Sequence, residues 1–249
     1  YSKIQGRFIT RLSLSASDVD EVIKERLLDK NDSAASPLEA AYKGKHDILK
    51  NKLSFVNAGM SFRTYANAND FADCYPFAAY QFMLVQKVFE SIRNAGATGL
   101  SLSHGERSTL DAFQSAAQQV GEEDIGALVP FYRFYPAVEG FLGGAVKRTI
   151  DQAKENHALE PFDATVLQVL FLIRYIDELP GSVDNLVTLF VDKIDDFDLI
   201  IFDRYVRRGV LPRASLARWC WYGCCCLFCV PLFFCYLYLV WPRVRGCVV

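Results

Sequence analysis

The first 203 residues of the chain contain almost no cysteine. Cys74 is the only one there, whereas the other seven lie between positions 220 and 247. Because disulfide-dependent domains need paired cysteines within the folded part, this scarcity excludes a disulfide scaffold and indicates a reduced, cytoplasmic setting. Near the end of the chain Cys226 and Cys229 form one C-x-x-C pair, without a second well-spaced pair or a downstream histidine. We therefore expect no metal site.

The sequence begins without methionine, and its first residues do not predict a signal peptide. It opens at Tyr1, and Lys3, Arg7 and Arg11 interrupt any apolar run that could act as a signal peptide. We expect the sequence to begin inside a longer polypeptide.

Lysine and acidic residues are missing from the last part of the chain. Residues 204–249 carry seven arginines and a net charge of +7, whereas residues 1–203 have a net charge of −9. The stretch 219–241 has no charged residue and is long enough to cross a bilayer as a helix. Two interpretations of the tail at 197–249 stay open: a membrane anchor at 219–241, or an aberrant product of a reading-frame change near residue 197.

Before that tail the apolar residues recur mostly at helical spacing. This pattern predicts a mainly α-helical protein with one short strand at 8–15 and a loose hairpin or extended connection at 53–66. Pro180-Gly181 separates the last two predicted helices, which suggests the opening of a helix-turn-helix unit. The predicted helices cover residues 18–29, 37–52, 69–94 with a break at Pro76, 106–120, 163–178 and 186–192.

Three arginines stand at positions where a guanidinium could contact phosphate. Arg7 and Arg11 flank the predicted strand, and Arg107 follows Gly105 in the first turn of a predicted helix. Arginine suits this chemistry because its planar cation pairs with several phosphate oxygens at once. By spacing alone, Arg7 and Arg11 are equally compatible with surface residues that flank a strand, and for Arg107 the spacing favours an ordinary capped helix with a solvated arginine.

Several short strings in this order resemble the BREX phage-defence family of P-loop ATPases, called BrxC or PglY. The resemblance covers about residues 1–196 and rests on the strings Lys3–Phe8, Thr10–Ser15, Val19–Ile23, Tyr75–Phe77, Tyr80–Phe82, Gly105–Ser108 and Leu128–Phe131.

The resemblance implies the helical lid and C-terminal helical region of an AAA+, origin-recognition-like ATPase, with a short N-terminal strand from its α/β core. Residues 1–16 would end that core, 17–120 would form the lid, and 121–196 a partial helix-turn-helix region. Arg7 would be the arginine finger, with Arg11 as its rival, and Arg107 a lid sensor for the ATP phosphates. The implied partners are ATP with Mg²⁺, other BREX components, further copies of the chain, and DNA, directly or through those components.

Two parts of a working ATPase are missing from the sequence. There is no Gly-x-x-x-x-Gly-Lys-Ser/Thr loop, and no hydrophobic strand with acidic residues precedes Arg7 to hold magnesium. We therefore expect the chain alone to be inactive, with ATP and Mg²⁺ bound mainly by upstream residues. The alternative hypothesis is a non-catalytic helical interaction module, cytoplasmic or anchored through 219–241. The acidic balance of residues 1–203 offers no basic footprint for DNA there.

Overall fold

The computed structural model of the chain describes residues 16–94, 105–141, 144–157 and 159–194, which are mainly helical. The first helix, α1, continues into a single π-helical turn at Ile23–Leu27, and a 3₁₀ turn at Phe131–Phe134 leads directly into α6. The α-helices are α1 Ala16–Val22, α2 Asp32–Lys52, α3 Ala68–Cys74, α4 Ala79–Asn94, α5 Gly105–Gln118, α6 Tyr135–Glu139, α7 Gly144–Glu155, α8 Pro161–Ile173 and α9 Val183–Leu189.

Side-chain caps begin three of these helices. Asn67 accepts a hydrogen bond from the backbone N–H of Asp70 at 2.8 Å and so caps α3. Ser182 does the same for α9, and Glu160 forms a reciprocal capping box with Asp163 at the start of α8. Each cap satisfies N–H groups that the first turn of a helix leaves without an intrahelical partner.

Buried aromatic rings hold the centre of the molecule together. Phe113 packs against Phe77 and Phe82 with ring centroids 4.8 and 5.0 Å apart, and against Phe134 at 5.1 Å. This cluster joins α4 and α5 to the 3₁₀ turn. One contiguous set of buried apolar residues extends from Val19 to Ile194, so the described ranges share a single core.

Two extended segments pair in antiparallel fashion where the described residues end. Leu128 donates its N–H to the carbonyl of Asp192 at 2.6 Å, and Ile194 donates to the carbonyl of Gly126 at 2.9 Å. Gly126 has φ +116°, a conformation that side-chain-bearing residues rarely adopt. The pairing fixes residues 192–194 against the loop that follows α5.

The predicted helices are present, but several of their boundaries differ. Helix α2 begins at Asp32, five residues before the predicted start, and continues through Pro37. The break predicted at Pro76 is present, because 69–94 is two helices, Ala68–Cys74 and Ala79–Asn94, and Asn67 caps the first of them. Helices α8 and α9 end before the predicted 178 and 192.

Residues 53–67 form an extended connection between α2 and α3 that contains no strand, so the hairpin predicted there is wrong and the extended alternative is confirmed. The predicted strand at 8–15 and the tail at 197–249 lie outside the described residues. Within the described ranges, no helix has the length and apolar character needed to cross a membrane. The predicted anchor at 219–241 lies outside those ranges.

Candidate functional site

The predicted phosphate-contacting arginines lie at or beyond the edge of the described residues. Arg7 and Arg11 fall outside them. Arg107 is the third residue of α5, and its backbone is in the first turn of that helix, as the sequence predicts. The contact of its guanidinium with a nucleotide stays a prediction.

The carboxylate of Asp70 makes several charged and polar contacts. Its side chain is 11% exposed and accepts hydrogen bonds from Lys24 at 3.2 Å and from Arg63. The backbone N–H of Ala66 donates to its second oxygen at 3.0 Å. One carboxylate thereby joins the π-helical turn, the 53–67 connection and α3.

The charges around Asp70 determine its protonation. Burial alone would raise the pKa of this carboxyl, but the Ala66 N–H, Arg63 and Lys24 outweigh burial and lower the pKa below its ordinary value. Asp70 is therefore ionised in the folded protein at neutral pH. A fully ionised, multiply bonded carboxylate is a structural ion-pair centre rather than a general acid.

Cys74 lies directly beside this centre, with its Sγ 3.6 Å from Asp70. Burial, and then the negative charge of Asp70, raise the pKa of the thiol to about 11. Because the thiolate is the nucleophilic form, Cys74 is inert at neutral pH. The site therefore offers no cysteine chemistry.

The 53–67 connection is tied to α9 by side-chain hydrogen bonds. Asn185, fully buried, accepts the N–H of Val56 at 2.8 Å and donates to the carbonyl of the same residue at 3.1 Å. Thr188 donates to the carbonyl of Ser54 at 3.2 Å. These polar side chains of α9 therefore face the 53–67 connection. Because α9 is the second helix of the predicted helix-turn-helix unit, these two side chains are not available on its solvent-exposed surface.

A small pocket lies between the C-terminal half of α2 and the 53–67 connection. Its floor is apolar and aromatic, and its ionisable lining residues other than tyrosine are all basic: His46, Lys50 and Arg63. We call it the basic pocket. It is much smaller than a nucleotide site, and its interior has room for about one water molecule. Its lining residues are Tyr42, His46, Leu49, Lys50, Leu53, Arg63, Thr64, Tyr65, Ala79 and Tyr80.

Among the described residues, no group of three or more His, Cys, Asp or Glu side chains is arranged to hold a metal ion.

No protein-family model matches the chain, and no solved structure matches it significantly. The helical architecture therefore rests on the structure alone, and membership of the BREX ATPase family stays a prediction.

Sequence reasoning missed Asp70, Asn185 and the basic pocket. A signal for the pocket was present, because residues 40–69 contain five Lys or Arg and a single acid in an otherwise acidic region. The sequence pattern places Asp70 near the start of the predicted helix 69–94 and Asn185 just before the predicted helix 186–192. Their partners lie 46 and 129 positions away in the sequence, at Lys24 and Val56, which no local pattern reveals.

Proposed function

We propose that this chain is part of the ATPase component of a bacterial BREX anti-phage system, which couples ATP binding and hydrolysis to action on phage or host DNA. The observation that carries the proposal is the ordered series of family-like strings between Lys3 and Phe131. The helical character of the described residues is compatible with the helical lid and C-terminal region of an AAA+ ATPase, the finer assignment made here. The backbone position of Arg107, at the start of α5, is also compatible with a lid sensor.

In this proposal the chain contributes arginine side chains that contact the phosphates of a nucleotide, and the nucleotide itself is bound mainly by an upstream domain. Arg7, or its rival Arg11, reaches the γ-phosphate of ATP bound by a neighbouring copy, and Arg107 contacts the phosphates within its own copy. Both roles need a permanent cation, because negative charge accumulates on the transferred phosphoryl group. The arrangement requires a homo-oligomer, Mg²⁺ from the upstream site, and a cytoplasmic location with the other BREX components.

The decisive experiment measures ATP turnover by the full-length protein, including its upstream nucleotide-binding domain. Arg7→Ala should lower turnover by roughly 10³-fold while leaving ATP affinity nearly unchanged, since a finger acts mainly in the transition state. Arg107→Ala should also lower turnover. Loss in Arg11→Ala instead of Arg7→Ala would move the finger to Arg11.

The matched control is Arg26→Ala, which removes an exposed arginine from the π-helical turn. It should turn over ATP at the wild-type rate. Wild-type turnover in all three variants at positions 7, 11 and 107 would reject the nucleotide role. That result would favour the second candidate, a non-catalytic helical interaction module, with which the small size of the basic pocket is also compatible.

A further inference from the structure

We draw no further inference here: the strongest candidate, the exposed face of α2 that carries Ala40, Gly44 and Ile48, is a short stripe of mostly small residues, and nothing in the described residues shows what covers it.

Discussion

At the scale of single residues, Asp70 links three parts of the chain through one carboxylate. Two cations and one backbone N–H converge on it, and it is only 11% exposed. Removing its charge would leave Lys24, itself 20% exposed, beside an uncharged partner. Leaving a partly buried ion without its counterion is costly, whereas the net gain from a satisfied ion pair is small.

We therefore expect Asp70→Asn to lower the free energy of unfolding by about 2 kcal/mol at pH 7. The pKa of Asp70 is lower in the folded state than in the unfolded state. Its contribution is thus fully present above the ordinary carboxyl pKa, near 4, and is lost as the pH falls through the lower folded pKa. Urea unfolding at several pH values should show a weaker loss of stability on acidification in the variant than in the wild type.

Asp73→Asn is the control, because Asp73 is exposed and lies on the same short helix. It makes the same chemical change without disturbing the ion-pair centre. A stability loss in Asp73→Asn as large as that in Asp70→Asn would show that the helix, and not the buried ion pair, is responsible.

At the scale of elements, the 53–67 connection is held in a defined position by specific hydrogen bonds, although it is neither helix nor strand. Asn185 binds both backbone groups of Val56 and also donates to the carbonyl of Pro180 at 2.9 Å. Gly59 donates to the carbonyl of Glu178 at 2.8 Å, and a Cβ at Gly59 would lie 3.4 Å from the backbone of Glu178. The connection is therefore fixed to the region around α9 at several points.

Asn185→Ala should lower the free energy of unfolding by about 3 kcal/mol, because it leaves three backbone groups near the core without their partner. Hydrogen exchange of the Val56 amide should accelerate strongly in the variant. Asn57→Gly provides the comparison, since Asn57 has φ +54° and glycine adopts that conformation without strain. It should be close to neutral; equal losses in both variants would contradict a specific role for Asn185.

The helices also show which features of the fold could be predicted from the sequence. Apolar spacing predicted the presence of the main helices, because burying one face requires a period near 3.6. Boundaries were less accurate: α2 passes through Pro37, and Asn67, which lies outside the apolar pattern, is the cap of α3. The site depends on contacts between distant parts of the chain, such as Asn185 with Val56, and local patterns contain no information about them.

At the scale of the whole molecule, the family resemblance implies a division between a lid at 17–120 and a C-terminal region at 121–196. The core does not stop at that division, since buried apolar residues on both sides belong to one contiguous set. Polar contacts cross it as well: Tyr80 of α4 donates to the carbonyl of Thr188 in α9 at 3.1 Å, and Lys87 pairs with Glu178 at 3.1 Å. Both contacts join α4 to the region around α9.

A shared core predicts that these ranges unfold as one cooperative unit. In native-state hydrogen exchange, the slowest amides of α4 and α9 should then open with the same free energy. Asn185→Ala, which changes only a side chain of α9, should accelerate the slowest amides of both helices by the same factor, about 100-fold for a loss near 3 kcal/mol. Acceleration confined to α9 would instead show that the regions before and after residue 120 unfold independently. The expected coupling has a physical origin in the buried contacts of Tyr80, which belongs to α4 and cannot stay packed once α9 has left the core.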